Sequence, residues 1–383
     1  MLGWILAGIQ ALLAARVVAR LLSTARSVVI EDTAQSGPAR SVSVVVPVLD
    51  EERRLGPCLA GLCAQGELVG EILVIDGGSS DATRGVVLAA AARDARVRLI
   101  DAAPVPDGWN GKAWNLETGL RASAAASRFI AMIDADVRPA PNLIAALFAH
   151  AQRTGLEAFS VATRQRLADG VDALLHPAML ATLVYRFGIP GSAATAAARV
   201  QANGQCFFVS RELLVRTGAI AEARDSRSED VTIARTLARA GTPVGFYEAA
   251  DLVTVRMYDG WRETLQGWPR SLPMLDRHAP LAGWFGLVEV LFVQALPPWF
   301  AAAVWWNGID GTPGQRAFLD VQAALVLMRF GVLAGMRRAY ERPPLGYWLS
   351  PLLDLPVALV LIASALRRRH TWRGRTLVRE RPR

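Results

Sequence analysis

The 383-residue sequence predicts an α/β domain carried on membrane-associated helices. Three observations predict it. Short, uninterrupted apolar runs alternate with helical lengths between residues 41 and 255, acids close two of those runs, and long uncharged stretches occupy both ends of the chain.

The first run, Val42–Val48, is β-branched almost throughout and carries Pro47 near its end. A helix-like stretch over 51–63 follows, and further short runs recur at 72–75, 97–100 and Phe129–Ile133. Runs that are apolar at every position, rather than at alternate ones, suit strands buried on both faces of a parallel sheet. Ligands of such sheets bind beyond the carboxyl ends of the strands. Asp76 stands at one of those ends, in Ile75-Asp76-Gly77-Gly78-Ser79-Ser80-Asp81, and Asp134 and Asp136 at another. Turn chemistry explains one such end, with Asp81 as a helix cap, but does not require two with a Gly-Lys loop between them.

That loop, Gly108-Trp109-Asn110-Gly111-Lys112, holds the chain's single lysine among 42 basic side chains. An ammonium binds phosphate as a compact point charge, where arginine presents a planar fork. Lys112 therefore points to a phosphate-bearing ligand.

Residues 2–15 carry no charge, and the apolar pattern continues past Arg16 and Arg20. Positive charge follows the run instead of preceding it, which reads as an uncleaved anchor starting outside and continuing in the cytoplasm. A buried N-terminal helix is the other reading. Three more apolar stretches lie at about 283–306, 318–336 and 346–366, with tryptophans near their ends. The last is interrupted by Pro351, Asp354 and Pro356 and flanked by arginines on both sides, so it reads as a re-entrant or interfacial hairpin. The chain thus divides into an anchor (1–26), a catalytic domain (41–255), an amphipathic interface segment (256–280), membrane helices (281–370) and a basic tail (371–383). Much of the net charge of +8 sits on the membrane flanks, which favours an anionic membrane surface over nucleic acid. No basic and aromatic stripe marks a nucleic-acid binder. Cys58, Cys63 and Cys206 have no metal-ligand spacing and read as reduced thiols.

Four landmarks in order resemble the family 2 glycosyltransferases of the GT-A fold: Val45-Val46-Pro47 with Glu51 and Glu52, Asp76 to Asp81, Asp134-Ala135-Asp136, and Ser228-Glu229-Asp230. The Lys112 string and the closing Trp372-Arg373-Gly374-Arg375 are similar to the branch that glycosylates membrane lipids such as carotenoids, hopanoids and ceramides. The resemblance implies a nucleotide-sugar donor, a UDP-sugar first among them, and a divalent cation, Mn²⁺ or Mg²⁺. It implies Asp136 as direct metal ligand, with Asp134 at the ribose or metal. Pro47, Glu51, Asp76, Lys112 and Arg270 fall on the donor side, with Asp76 at the nucleobase or ribose. Asp230 corresponds to the base of an inverting transfer, although an acid opening the run 231–240 also serves as a helix-capping residue.

One departure bears on product. Processive members carry Gln-x-x-Arg-Trp, whereas this chain has Gln266-Gly267-Trp268-Pro269-Arg270, which favours transfer of a single sugar. Met257, Tyr258, Trp261 and Trp268 recur near helical spacing and read first as a helix on the bilayer, second as acceptor guides. The apolar stretch 171–200 reads either as a roof over the acceptor or as a packed subdomain. The expectation is a multi-pass enzyme of the inner membrane with its catalytic domain in the cytoplasm. A polyprenyl-phosphate sugar transferase, a polysaccharide synthase and a silent scaffold of the same fold are the rivals.

Overall fold

The computed structural model describes the chain except residues 1, 26–27, 34–36, 168–169, 276–277, 309–310, 368, 373–374 and 379–383. Arg26, Arg368, much of the basic tail and the centre of the Trp372–Arg375 string therefore lie outside the described residues.

After a first helix, α1 (Leu2–Thr24), the chain alternates β1 (Val42–Val48), α2 (Leu55–Cys63), β2 (Val69–Asp76), α3 (Thr83–Ala91), β3 (Val97–Asp101), α4 (Gly111–Ala122) and β4 (Phe129–Ile133). Then come β5 (Val137–Pro139), α5 (Leu143–Thr154), β6 (Ala158–Ala162), β7 (Arg164–Gln165), α6 (Asp172–Phe187), β8 (Ser192–Ala194) and β9 (Cys206–Ser210). Two short helices, α7 (Arg211–Thr217) and α8 (Ala219–Glu222), lead to α9 (Glu229–Arg239), β10 (Val244–Glu248) and β11 (Val253–Val255).

Eight strands form one sheet in the order β3-β2-β1-β4-β9-β6-β10-β8. The half from β3 to β4 is parallel, as its unbroken apolar runs predict. The other half is not: β9 runs antiparallel to both β4 and β6. The sheet as a whole is therefore mixed, and Cys206–Ser210, as apolar as the parallel strands, shows that local pattern carries no strand direction.

Side chains of β1 divide between two cores. Val42, Val44, Val46 and Val48 pack with α2 and α5, while Val45 packs with α4 and the α7 to α9 layer. Helices thus cover both faces. The helix expected over 51–63 begins only at Leu55, because Glu51 first closes a turn in which its carbonyl accepts from the amides of Arg54 and Leu55.

The remaining elements are α10 (Trp261–Gly267), α11 (Pro280–Glu289), α12 (Pro297–Asn307), α13 (Pro313–Met336), a 3-10 segment (Leu345–Leu353), α14 (Asp354–Leu366) and a closing hairpin of β12 (Arg369–Trp372) and β13 (Arg375–Val378). Three helical stretches are long and apolar enough to cross a membrane: Gly3–Thr24, Pro313–Ala339 and Leu345–Leu366. The pair Pro280–Ala295 and Pro297–Asn307, bent by 49°, makes a fourth if taken as one span. At about 1.5 Å per residue, α1 reaches the length of a bilayer core, so the charged positions Arg16 and Arg20 do not shorten it.

Helices α1 and α13 run side by side in the same direction. Gly3 lies against Gly314, where a Cβ would stand 2.7 Å from a backbone oxygen, and Gln10 and Gln322 exchange side-chain hydrogen bonds further along. The bent pair runs the opposite way: Glu289 meets Arg16 and Arg20, and the carbonyl of Gly308 accepts from Gln315 near the start of α13. In the segment 345–366, Gly346 packs on the start of α6 and Ser364 donates to the carbonyl of Pro269. Its two ends therefore pack on α6 and on the stretch just before α11, and Asp354 is the buried partner of Arg329 at 2.7 Å.

Candidate active site

The sequence landmarks converge at the carboxyl ends of β1, β2 and β4. Asn110 caps α4 by accepting from the amide of Ala113 at 2.7 Å, and its own amide group donates to the carbonyl of Ser226. This clamps the Lys112 loop to the chain leading into α9. Lys112 Nζ lies 2.8 Å from Asp134 Oδ1 and 2.9 Å from Glu229 Oε1. The lone ammonium is thus a bridge between the two acidic motifs, with carboxylates where the sequence reading places a phosphate. Burial works against charge on Lys112, but Asp134, Glu229 and Asp230 hold its pKa well above the ordinary lysine value. Glu229 is the residue sequence reasoning passed over, since the motif alone gives it no task beside Asp230.

Asp230 opens α9. Its Oδ2 accepts from the amide of Gly204 at 2.7 Å and its Oδ1 from the amide of Val231 at 2.8 Å. Gly204 admits this approach because a Cβ there would stand 3.0 Å from Lys112 Nζ and 3.3 Å from Asp230. Burial and then the neighbouring Glu229 carboxylate raise the Asp230 pKa to about 7, against the pull of Lys112 and the two amides. A carboxylate so placed is poised between acid and base near neutral pH. The capping role remains beside it: one of its two bonds goes to the first turn of its own helix.

Asp136 is raised to about 7 as well, by burial first and then by Asp134 and Glu51, with Lys112 and Arg54 opposing. Its Oδ1 is buried without a hydrogen-bond partner. A desolvated carboxylate oxygen lacking a donor, flanked by two further acids, is the environment a hard divalent cation satisfies. No group of three His, Cys, Asp or Glu side chains converges at metal-holding geometry among the described residues.

Asp76 is fully buried, and its carboxylate accepts from the amides of Gly78 and Ser79, the hydroxyl of Ser79 and the guanidinium of Arg84. Against the cost of burial, these donors hold its pKa below the usual carboxylate value. All four belong to its own loop and the helix after it, so these bonds fix the loop that Asp76 opens. Pro47 is buried in β1 beside Ile75, and the adjoining strand ends are tied by Asn115, which donates to the carbonyls of Val48 and Ile75. Glu51 is partly buried on the Asp136 side. Arg270 joins the same region through Tyr258, whose buried hydroxyl feels the charges of Arg270, Asp136, Glu263 and Arg54.

Segment 256–280 is not one continuous surface helix. Helix α10 spans only Trp261–Gly267, Trp261 is 41% exposed, and Trp268 is buried against the His176 ring at 4.4 Å. Met257 and Trp268 instead line a cavity of about 780 Å³. Helices α1, α6 and α13 wall it with Leu21, Leu183, Val184 and Val332, and Ser228 and Asp230 lie on its floor. The stretch 171–200 contributes to this wall through α6 and Pro190.

Residues 43–218 match the family model described as glycosyl transferase family 2. This stretch, less than half of the chain, is similar to the domains of that family. The chain is 25% identical over 240 residues to 4,4'-diaponeurosporenoate glycosyltransferase of Staphylococcus aureus strain MRSA252, and 24% identical to that of strain USA300. Each match covers 61% of both chains, so less than two thirds of these relatives is matched. Among solved structures, a mannosyltransferase from Pyrobaculum calidifontis in complex with GDP-Man and Mn2+ has a TM-score of 0.53 at 18% identity, covering 94% of this chain and 98% of its own. That likeness extends the fold agreement past the matched stretch. The fold of the chain is therefore that of this neighbour, and its residues 43–218 carry the match to glycosyltransferases.

Proposed function

We propose that this protein is a glycosyltransferase that moves one sugar from a nucleotide-sugar donor to a lipid acceptor, with inversion at the anomeric carbon. The observation that carries the proposal is the position of Asp230, on the floor of an apolar cavity walled in part by α1 and α13, two helices long and apolar enough to cross a membrane. A water-soluble acceptor would not need such walls, and a lipid chain buried there would present its polar end to Asp230. The carotenoid substrate in the name of the S. aureus relatives has this shape.

In the proposed reaction the Asp230 carboxylate takes the proton of an acceptor hydroxyl as its oxygen attacks the anomeric carbon from the face opposite the leaving diphosphate. Gly204 and Val231 hold the carboxylate in place through their amides. Lys112 holds Asp134 and Glu229 in place through its two ion pairs, and Arg270 lies on the diphosphate side. Asp136, with Asp134, would hold a divalent cation, which supplies charge stabilisation for the leaving diphosphate when bound. The Mn2+ in the P. calidifontis structure supports this reading.

The topology that fits is an outer start for α1, a return through α11 and α12, and a third crossing by α13, with 345–366 lying at the catalytic side. Parallel α1 and α13, with the bent pair antiparallel between them, support it.

The deciding experiment offers membranes containing the protein several labelled nucleotide sugars, with and without chelator, and analyses extracted lipids. Label in a single-sugar lipid, lost with chelator and restored by Mn²⁺ or Mg²⁺, is the expected result. Label only in polymer, or in a sugar joined to polyprenyl phosphate, would reject the proposal, and undiminished transfer in chelator would reject its metal.

A further inference from the structure

A second pocket, of about 680 Å³, lies where α1, α6, α9 and α11 meet. Its described lining includes five arginines, Arg16, Arg20, Arg186, Arg199 and Arg235, against one carboxylate, Glu289. Glu289 is already engaged by Arg16 at 3.1 Å and Arg20 at 3.0 Å. Arg186, on α6, is buried and donates to the neutral carbonyls of Thr182, Leu272 and Pro273. Burial, and then the nearby Arg235, lower its pKa to about 9, the mark of a cation lacking an anion.

The rim of the pocket is of opposite character. Leu281 is 83% exposed, and Phe285 and Val288 are each 41% exposed along α11, with the Arg16 guanidinium 4.6 Å above the Phe285 ring. An excess of arginine inside an apolar, membrane-facing rim fits a ligand with an anionic head and hydrocarbon tails.

We propose that this pocket binds the phosphate of an anionic phospholipid from the leaflet in which α1 ends. The proposal rests on the membrane placement above but not on the transfer chemistry. The two sites share walls: α1 turns Arg16 and Arg20 to this pocket and Leu21 and Leu22 to the acceptor cavity, and Arg186 holds the backbone of Leu272, whose side chain lines that cavity. Lipid binding here would therefore brace one wall of the acceptor cavity.

The test uses the full-length protein in lipid nanodiscs of phosphatidylcholine alone or with phosphatidylglycerol, with retained lipid counted by native mass spectrometry. Wild type is expected to retain phosphatidylglycerol selectively. The double variant Arg16→Gln/Arg199→Gln, at two exposed positions, is expected to lose that preference by about thirtyfold, at about 1 kcal/mol for each basic side chain near the surface. The variant Arg16→Lys/Arg199→Lys should restore it, which separates charge from folding. Equal retention of both lipids by wild type, an undiminished preference in the Gln variant, or displacement of the lipid by inorganic phosphate would overturn the proposal. Nucleotide-sugar transfer measured in the same discs distinguishes failure of this site from failure of the proposed function.

Discussion

At the scale of single residues, the site works by placing charges against burial. Asp230 and Asp136 both stand near neutrality because desolvation is the largest influence on each and a neighbouring acid adds to it. Asp230→Asn keeps shape and removes the base, so turnover should fall by about 10² to 10⁴-fold while donor affinity is nearly unchanged. In the wild type, protonation of either acid disables the free enzyme, so kcat/KM should fall as pH drops through about 7 and level off above it. A kcat/KM profile flat between pH 5 and pH 8, on the order of the range where such acids titrate, would remove Asp230 from the base role. Lys112→Arg is the substitution this arginine-rich chain would find most ordinary. Yet the ammonium sits between two carboxylates with Gly204 beside it, where a longer planar fork displaces its neighbours. A loss of about 100-fold in kcat/KM is expected, the scale of a misplacement of about 1 Å near the chemistry. Steady-state kinetics with wild-type rate and donor affinity would show the lone lysine to be compositional.

At the scale of elements, helices α1, α6 and α13 wall the apolar cavity, and the start of α9 supplies its floor. Gly331 and Gly335 both line it from α13, and a Cβ on either meets nothing. Gly335→Phe should therefore fill the cavity without straining the helix. Lipid glycosylation is expected to fall by about tenfold or more, with donor binding and protein yield unchanged, because the blocked volume lies on the acceptor side alone. Equal loss of donor affinity, read by titration with the nucleotide sugar, would place the donor in this cavity instead.

At the scale of the whole molecule, the arrangement of α1, α11 with α12, and α13 sets which ends share a side. A tag between residues 308 and 316 should be reached by a membrane-impermeant reagent from outside, and a reporter after residue 383 should report cytoplasm. An external tail would make 345–366 a true crossing. The ion pair of Arg329 with Asp354, buried on both sides, ties this segment to α13. Asp354→Ala would leave the guanidinium buried without its partner and should cost about 3 kcal/mol or more, seen as a lowered unfolding temperature of the solubilised protein.

How far the sequence alone reached follows from what kind of information each feature needs. Strand identity and the acidic strand ends were legible because an unbroken apolar run and the turn after it are local properties. So were the long apolar helices towards both ends of the chain, since hydropathy is read along the chain. The direction of β9, the bridge from Lys112 to Glu229, the closed hydrogen bonding of Asp76 and the burial of Trp268 were decided only in three dimensions. Each depends on which distant groups meet, and residues 112 and 229 carry no mark in their own neighbourhoods that they will share one ion pair. The same holds for both cavities: apolar residues of α1, α6 and α13 look alike whether they face lipid, protein or an acceptor, and only the packing of the helices assigns each face its contents.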